Sequence, residues 1–444
     1  MKKFPGIILA MAITVGLLAG CGEQVSSDPV QKEETKATVT VEGTKEKPPE
    51  PLTITILHYM GNEVKLNAFN AILEKYRKDN SHVTFDSQAI SQTEYFTQLR
   101  TRIASSDTPD IMMGQPSQYP DIIDTGCIMD LSALELVKNL KLTDADIGDC
   151  SYKGTLYALP LDFKTYGVIY NKSIFEKYSL KEPATQAELD TVCKTLKDNG
   201  VDPWIRNYSN ATYPDIEARA IFWPLLMENG KYDALDKLMK GEAKFADYPE
   251  FRKAIELLTQ RLKYDRIDDY SNDITMGRQK FAAGEGAMIY EGTWAYAQIS
   301  GFNTELKLGM FPVPRDDGKP NQYCVQLDQL FMLSAKSVHP DAVMSFMEFF
   351  LSAEIAGFWT AETLNPSVVP GVSVELPDVM KAAMDAKEKG NIAHAGKFSA
   401  QLYGEFTTNW RNYLQAYCAE KTYNVDDLTN KMQAAFDEII KSLK

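Results

Sequence analysis

The sequence predicts an α/β protein built from two lobes, and three observations support this prediction. Short apolar strands alternate with amphipathic helices between residues 52 and 113, as in right-handed βαβ units around a parallel sheet. Residues 171–270 have mostly helical spacing, so a second and more helical lobe is expected. Removal of a predicted leader would leave 444 − 20 = 424 residues, which is more than one hydrophobic core usually holds.

The first residues have the pattern of a bacterial lipoprotein leader. A pair of lysines precedes an apolar run from Ile7 to Leu18, and Leu18-Ala19-Gly20-Cys21 has lipobox spacing. This run is shorter than the roughly 20 residues of a membrane-spanning helix, which disfavours a transmembrane anchor. We therefore expect residues 1–20 to be a signal peptide. The Cys21 thiol would then carry a diacylglycerol that holds the protein on the extracytoplasmic face of the cell membrane.

Composition limits the partners of the chain. Residues 21–51 contain almost no bulky apolar side chains and are expected to form a disordered tether. The formal net charge of −14, without clusters of lysine and arginine, disfavours binding to nucleic acid or to an anionic lipid surface. Membrane attachment would thus depend on the lipid at Cys21, and the folded body is expected to be a monomer.

Cysteine usage leaves the disulfide pairing open. The cysteines after Cys21 are Cys127, Cys150, Cys193, Cys324 and Cys418, an odd number without C-x-x-C spacing. At least one thiol must therefore stay unpaired. A chain of this length has enough core without disulfides, so we expect buried free thiols. If one disulfide forms, Cys127 with Cys150 is favoured by their proximity in sequence.

The first predicted lobe begins at Leu52. The expected elements are a strand over 52–57, a helix over 66–76, a strand over 83–85, a helix over 93–105 and a strand over 109–113. In open α/β sheets, ligands bind just beyond the carboxyl ends of the strands. Tyr59 and Asn62 follow the first strand and Gln115 follows the third, so these three residues are candidate ligand contacts. His58 is expected to be a satisfied loop residue rather than a contact.

The stretch from Met276 to Ser300 is the most informative part of the sequence. Helical spacing ends at two glycines, and residues 287–290 have the pattern of a short buried strand. Gly292 ends this strand, and Thr293 is a plausible N-cap of a following helix. Trp294 is thus placed at a tight turn just beyond a strand end, where a ligand would bind.

The stretch over 161–171, like the predicted strand over 324–333, carries polar residues near its start. These residues are Asp162, Tyr166, Gln326 and Asp328. A helix over 340–351 and a helical C-terminal segment follow the predicted strand. Helical segments also supply two aromatic candidates, Trp223 and Trp410.

Three motifs, in this order, resemble one protein family. They are T-P-D-I at 108–111, G-x-x-Y-A-L-P followed by G-V-I-Y-N at 154–171, and F-x-x-G-x-x-A-M-x-x-x-G-x-W at 281–294. The chain resembles the extracellular solute-binding proteins of ABC importers, in the sugar-binding group similar to maltose-binding protein. The resemblance implies a two-lobed periplasmic-binding-protein fold of class II, with the ligand cleft between the lobes and three chain crossings as the hinge. The N-terminal lobe would comprise residues 52–161 and 308–350, and the C-terminal lobe residues 163–306 and 351–444.

The resemblance also implies roles for the candidate residues. In this family the tryptophan after the glycine stacks on a sugar ring, so Trp294 and a late aromatic, Trp410, would be stacking platforms. Asp162, Gln115 and Asp328 would hold the sugar hydroxyls. The full set of predicted ligand contacts combines aromatic rings with carboxylates and amides: Tyr59, Asn62, Gln115, Asp162, Tyr166, Trp223, Trp294, Gln326, Asp328 and Trp410.

These expectations define a capture function. A carbohydrate, most simply an oligosaccharide, would bind between the lobes and be delivered to a permease pair in the membrane, with a cytoplasmic ATPase driving uptake. Residues 115–118 lack the aromatic side chain, and residues 326–329 lack the glycine-rich turn, found in many relatives, so the identity of the sugar stays open. Motifs of serine hydrolases, zinc peptidases and P-loop enzymes are absent from the sequence, and its four histidines lie far apart. We therefore expect no catalysis, metal or cofactor.

Three alternatives stay open at this point. Asp162 and Asp328 could serve as the carboxylate pair of an exported carbohydrate-active enzyme. The same fold could bind a polyamine, iron or a phosphonate, although the aromatic candidates disfavour small charged ligands. A sensor subunit that passes its closed state to a histidine kinase would have the same sequence features as a transport protein.

Overall fold

The computed structural model describes residues 50–60, 63–316, 318–395 and 404–443. The predicted signal peptide, the tether up to residue 49, Cys21 and Asn62 lie outside these residues. The strands are β1 (Leu52–His58), β2 (Val83–Ala89), β3 (Ile111–Met113), β4 (Ser151–Tyr152), β5 (Thr155–Leu156), β6 (Leu159–Asn171), β7 (Asp202–Ile205), β8 (Gly286–Gly292), β9 (Leu308–Phe311), β10 (Tyr323–Leu333) and β11 (Ile392–His394).

The helices account for most of the remaining described residues. They are α1 (Glu63–Asp79), α2 (Gln92–Ala104), α3 (Pro120–Ile123), α4 (Glu135–Leu140), α5 (Asp144–Asp149), α6 (Lys172–Lys177), α7 (Gln186–Asp198), α8 (Thr212–Glu228), α9 (Ala234–Lys240), α10 (Pro249–Leu262), α11 (Ile274–Ala282), α12 (Tyr296–Phe302), α13 (Pro340–Phe350), α14 (Ala353–Thr363), α15 (Asp378–Glu388), α16 (Gly404–Glu420) and α17 (Val425–Ser442). Short 3-10 helices occur at Pro116–Gln118, Phe245–Asp247, Ile267–Tyr270 and Thr293–Ala295. Within the described ranges, no single helix has the length and apolar character needed to cross a membrane; α13 and α14, bent by 61°, meet that test only as a pair.

A mixed sheet organises the described ranges, with strand order β2-β1-β3-β10-β6-β8-β7 and with β11 beside β10 and β9 beside β6. β1 is parallel to both β2 and β3, as the alternation of strands and helices predicts. β10 is antiparallel to β3 and to β6, and β6 is antiparallel to β8. The long strands β6 and β10 therefore join the two halves of the sheet.

Buried apolar side chains form two clusters. The first core surrounds β1, β3 and the start of β6 and includes Phe69, Met112 and Phe331. It extends to α11, β8 and α12 through Phe281, Ile289 and Ile299. The second core lies among α7, α8, α10, α16 and α17, and it includes Phe222 and Phe251. The two predicted lobes and their boundaries stay a prediction.

The C-terminal segment packs differently from the predicted division in one respect. Trp359 on α14 and Met380 on α15 are buried in the first core, whereas residues 351–444 are predicted to belong to the C-terminal lobe. From that range, Ala395, α16 and α17 pack in the second core. An amphipathic pattern shows that a helix buries one face, but it does not show which core receives that face.

The five cysteines of the described ranges, Cys127, Cys150, Cys193, Cys324 and Cys418, are all buried and free. The expected buried free thiols are thus confirmed. Cys127 and Cys150 are not bonded to each other, although they are the favoured pair in sequence. Burial raises the pKa of the Cys193 and Cys324 thiols to about 12, so these groups are uncharged apolar fillers of the core.

Candidate functional site

A row of polar side chains crosses the middle of the sheet on β6 and β10. In the register of these strands, Lys164 lies opposite Gln326, and Asp162 lies opposite Asp328. Residues opposite each other on antiparallel strands project to the same face, and so do alternate residues of one strand. Asp162, Lys164, Tyr166, Gln326 and Asp328 therefore share one face of the sheet, and we name these five residues the cross-strand row.

The topology brings several strand ends to the cross-strand row. β8 ends at Gly292, which pairs with Tyr166 on β6. β3 runs antiparallel to β10 and ends at Met113, opposite Phe331. β1 is parallel to β3, so the carboxyl ends of both strands point toward the same edge. Ligand sites of open α/β sheets lie at such an edge, and this makes the row the candidate site.

Asp328 is the charge centre of the cross-strand row. Its carboxylate accepts hydrogen bonds from Lys65 Nζ at 2.6 Å, from Gln329 Nε2 at 2.9 Å and from Lys164 Nζ at 3.5 Å. Burial opposes the charge on this carboxylate, but Lys164 and Lys65 outweigh burial and hold the pKa of Asp328 well below its usual range. Asp328 is therefore ionised at neutral pH and remains a strong hydrogen-bond acceptor.

Asp162 has a different environment because it is fully buried. Its Oδ2 accepts hydrogen bonds from Trp359 Nε1 at 2.8 Å and from Asn365 Nδ2 at 2.9 Å. Its Oδ1 has no hydrogen-bond partner among the described residues. Burial raises the pKa of Asp162 to about 6; Lys65 opposes this rise and Asp328 adds to it. In this structure Asp162 joins β6 to the α14 segment and is not exposed to a ligand.

Trp294 lies beside the cross-strand row, at the end of β8. Its indole meets the phenol ring of Tyr166 edge to face, with the ring centroids 5.0 Å apart. The Tyr166 hydroxyl donates to Gln326 Oε1 at 2.8 Å. A Cβ atom built on Gly292 would lie 1.8 Å from the nearest indole atom of Trp294, so the ring rests directly on the glycine. Only glycine at this position leaves room for the indole.

The turn that carries Trp294 is tied to β6. The sequence predicts an N-cap at Thr293, but no side-chain cap occurs in the 3-10 helix Thr293–Ala295. The backbone N–H of Thr165 instead donates to Thr293 Oγ1 at 3.2 Å. The prediction of an N-cap is wrong because β8 stays paired with β6 up to Gly292, which brings the Thr293 hydroxyl within reach of the neighbouring strand.

Two predicted contacts from the first half of the chain also lie near this edge. Tyr59 is half-buried and packs edge to face on Tyr95, with ring centroids 4.9 Å apart. Burial raises the pKa of Tyr59, and the charge of Asp328 adds to this effect. Gln115 is buried, and its Oε1 accepts a hydrogen bond from Gln118 Nε2 at 3.2 Å. His58 is buried and packs on Phe69, as expected for a satisfied histidine.

Trp223 and Trp410 are not at the site. Both indoles are fully buried in the second core. Trp223 Nε1 donates to the backbone carbonyl of His394, and Trp410 Nε1 donates to Asp215 Oδ1 at 2.8 Å. The ring of Trp410 also stacks on Phe222, with centroids 5.9 Å apart. The role of Trp410 as a stacking platform is therefore wrong, because a helix among other helices buries such a large aromatic face.

Sequence reasoning missed Lys65 and Lys164, which supply the positive charge of the site. Lys164 could have been found, since it alternates with Asp162 and Tyr166 on one strand. Lys65 offered no signal, because a lysine in the first turns of α1 normally faces solvent. Among the described residues, no group of three or more His, Cys, Asp and Glu side chains could hold a metal ion.

The fold and the strand-end site define the class of protein. Residues 61–357 match the family described as bacterial extracellular solute-binding protein, and this match covers more than half of the chain. The chain therefore belongs to the bacterial extracellular solute-binding protein family, as its motifs predict.

The chain is also similar to individual proteins and solved structures of this kind. An uncharacterized ABC transporter extracellular-binding protein of Pyrococcus horikoshii is 29% identical over 216 residues, and this match spans only 47% of the chain and 45% of the relative. The melibiose/raffinose/stachyose-binding protein MelE of Bacillus subtilis is 19% identical, over 69% of this chain and 67% of its own length. The apo structure of RafE from Streptococcus pneumoniae is 19% identical and has a TM-score of 0.75, covering 89% of this chain and 100% of RafE. The structure of RafE in complex with raffinose has a TM-score of 0.70 at 19% identity, and the match covers 88% of this chain and 100% of RafE. These structural matches confirm the predicted α/β solute-binding fold.

Proposed function

We propose that this protein is the lipid-anchored substrate-binding component of an ABC transporter, and that it captures an oligosaccharide and delivers it to a membrane permease. The observation that carries the proposal is the edge-to-face pair of Tyr166 and Trp294 beside the cross-strand row. An indole face offers an apolar surface to the C–H groups of a sugar ring. Lys164, Gln326 and Asp328 offer hydrogen-bond donors and acceptors to its hydroxyls.

The positions of these groups support a capture step. Trp294 and Tyr166 belong to the half of the sheet that contains β8, whereas Tyr59 and Lys65 come from the end of β1 and from α1. A ligand that contacts both sets makes its full number of contacts only when the two lobes close on it. Closure is therefore favoured by the ligand itself, and no chemical step on the ligand is required.

The named relatives support the choice of ligand and partner. MelE is a melibiose/raffinose/stachyose-binding protein, and RafE has been solved with raffinose. The relative from Pyrococcus horikoshii is an ABC transporter protein by its name. The partners we propose are accordingly a carbohydrate and the permease subunits of an ABC transporter, with the protein itself a monomer.

The lipid anchor rests on the lipobox at Cys21 and on the charge of the chain. An acidic surface gives the protein no electrostatic attraction to an anionic membrane, so the lipid would provide the attachment. We expect radiolabelled palmitate to be incorporated into the full-length protein expressed in a bacterium, and Cys21→Ala to abolish that incorporation. Equal labelling of both proteins would refute the assignment of Cys21.

Ligand binding is tested directly by calorimetry on residues 22–444. The panel comprises raffinose, stachyose and maltotriose, with spermidine and ferric citrate as controls for small charged ligands. We expect at least one sugar to bind with a Kd in the micromolar range and neither control to show measurable binding. Binding of a control without any sugar would overturn the sugar assignment while leaving the family intact. Cleavage of a bound oligosaccharide would instead indicate a carbohydrate-active enzyme.

A further inference from the structure

A buried carboxylate lies directly behind the turn that carries Trp294. Glu291 is the residue before Gly292 on β8, and its side chain is fully buried. Because side chains alternate along a strand, Glu291 projects from the face opposite to the one on which Gly292 pairs with Tyr166. The candidate stacking platform and this carboxylate therefore occupy opposite faces of the same strand end.

Glu291 receives hydrogen bonds from three different segments of the chain. Asn207 Nδ2, just after β7, and the Tyr213 hydroxyl on α8 each donate to its Oε1 at 3.0 Å. Arg278 on α11 donates through Nε to Oε1 at 2.9 Å and through Nη2 to Oε2 at 3.1 Å. Arg278 Nη1 also donates to Gln298 Oε1 at 2.5 Å on α12, the helix that follows Trp294. The strand end before Trp294 and the helix after it are thus held by the same guanidinium group.

Close packing on both faces of the strand end leaves little room for α11 or for the Trp294 indole to move. A Cβ atom on Gly277 would lie 1.6 Å from Asn207 Oδ1, so α11 can approach Asn207 only through a glycine. On the other face, the indole of Trp294 rests on Gly292 with no room for a Cβ atom. A shift of the strand end would therefore move the indole with it.

Stability alone does not explain such a cluster. Replacing a buried ion pair with apolar side chains of similar volume is often neutral or stabilising, because desolvation of the charges offsets much of their attraction. Four directional hydrogen bonds nevertheless fix a carboxylate in one position, which an apolar side chain cannot do. This kind of support is valuable where the orientation of a neighbouring group matters.

We propose that Glu291 and Arg278 are positioning residues of the ligand site, which set the orientation of the Trp294 indole. The inference rests on the proposed function in so far as Trp294 contacts the ligand. The positioning itself can be measured without any ligand, so the two ideas can fail separately.

The test uses residues 22–444 labelled with 5-fluorotryptophan and observed by ¹⁹F NMR. The chain has five tryptophans, and Trp294→Phe identifies the resonance of Trp294 by its disappearance. In Glu291→Gln, we expect the Trp294 resonance to shift and broaden in the absence of ligand. The Kd for raffinose, measured by calorimetry, is expected to rise about tenfold or more.

A matched control is available in the same core. Glu217 is likewise fully buried and accepts hydrogen bonds from Arg206 Nη1 at 2.5 Å, from the Tyr208 hydroxyl at 2.6 Å and from Arg261 Nε at 2.8 Å. The guanidinium of Arg206 lies 4.4 Å from the ring centroid of Trp204. Glu217→Gln should therefore move the Trp204 resonance and leave that of Trp294 in place, although both variants remove one buried charge.

Each outcome decides the matter. An unchanged Trp294 resonance in folded Glu291→Gln overturns the proposal, and so does an equal shift in Glu217→Gln. A shifted resonance with an unchanged Kd for raffinose overturns the link to binding. If the wild-type protein binds none of the sugars, the proposed function fails, while the resonance still reports on positioning. Arg278→Lys retains the charge but lacks the planar fork that donates to both Glu291 oxygens and to Gln298. This variant provides the same test if Glu291→Gln does not fold.

Discussion

Asp162 and Asp328 lie directly opposite each other on β6 and β10, yet the pKa values of their carboxyl groups move in opposite directions. Asp328 is bonded to two lysines and stays ionised, whereas Asp162 is fully buried and is held by two neutral donors. Like charges that face each other across a strand pair destabilise the pair. A raised pKa of one partner relieves this repulsion as the pH falls.

The raised pKa of Asp162 predicts a pH-dependent stability. Its pKa is about 6 in the folded protein and about 3.9 in an unfolded chain, so only the folded state keeps the proton between these values. The stabilisation from this proton is fully present below about pH 4 and is lost as the pH rises to about 6, with a size on the order of 2–3 kcal/mol. Asp162→Asn should therefore gain stability relative to the wild type as the pH rises from 4.5 to 7.

Urea unfolding of both proteins at several pH values measures this difference. Glu305→Gln, which changes an exposed carboxylate between α12 and β9, serves as the control and should follow the wild type at every pH. A free-energy difference between Asp162→Asn and the wild type that does not vary with pH would contradict the assignment.

Lys65 is expected to stabilise the facing carboxylates. Lys65→Met removes the 2.6 Å hydrogen bond to Asp328 and leaves a largely buried charge with weaker compensation. We expect a loss of about 1–3 kcal/mol at pH 7, less than for a fully buried pair because both side chains are partly exposed. The loss should shrink near pH 5, where Asp162 is protonated. Lys138→Met, which removes an exposed pair with Glu135, should change the unfolding free energy by less than about 0.5 kcal/mol.

The contact between Gly292 and Trp294 predicts a steric effect on binding. Gly292→Ala would place a Cβ atom 1.8 Å from the indole, so the ring must leave its position. The φ of Gly292 is −112°, which any residue can adopt, so no backbone strain is added. We expect the Kd for a bound sugar to rise at least tenfold, a loss of about 1.4 kcal/mol. In a Trp294→Ala background the same substitution should have no further effect.

Gly301→Ala provides the control for this steric prediction, because a Cβ atom there meets nothing within 4 Å. Calorimetry of the single and double variants gives the coupling between positions 292 and 294. Additive effects of Gly292→Ala and Trp294→Ala would show that the glycine acts independently of the indole.

The tryptophans at 294 and 410 should separate binding from stability. Trp294→Ala is expected to weaken sugar binding by about 2 kcal/mol or more and to cost little stability, since the ring is only partly buried. Trp410→Ala empties a fully buried position and should cost about 3–5 kcal/mol of unfolding free energy. Calorimetry and urea unfolding of each variant measure both quantities. A binding defect confined to Trp410→Ala would contradict the assignment of Trp294 to ligand binding and of Trp410 to the core.

The burial of the five free thiols predicts how many of them react with a thiol reagent before and after unfolding. In residues 22–444 the five cysteines should be inert to Ellman's reagent in the folded protein, because all of them are buried. All five should react after unfolding in guanidinium without reductant. A titre of three would indicate one disulfide.

Much of this architecture could be predicted from local patterns. The alternation at Leu52–His58 and the glycine-bounded segment before Trp294 predict strands that the structure contains. The sequence also places Tyr166 and Asp328 near the starts of two segments that form β6 and β10 in the structure. These features depend on neighbouring residues alone, which is why one sequence suffices.

The errors concern interactions between distant parts of the chain. Trp410 packs against Phe222, and Trp359 donates to Asp162 across 197 positions of sequence. Lys65 likewise reaches Asp328 from a different element. No local pattern specifies which core a helix joins or which carboxylate a lysine meets, so these features became visible only in the folded structure.

The order of the strands also determines when each half of the sheet can be completed during synthesis on the ribosome. β3 pairs on one side with β10, which begins at Tyr323, and the first core draws on side chains as late as Ala386. β6, β7 and β8 are all made before then. Between the synthesis of Met113 and that of Tyr323 the nascent chain therefore carries an unpaired edge at β3, and such edges are templates for aggregation. The first core can therefore be completed only when the last quarter of the chain has been made, although its first strands are made early.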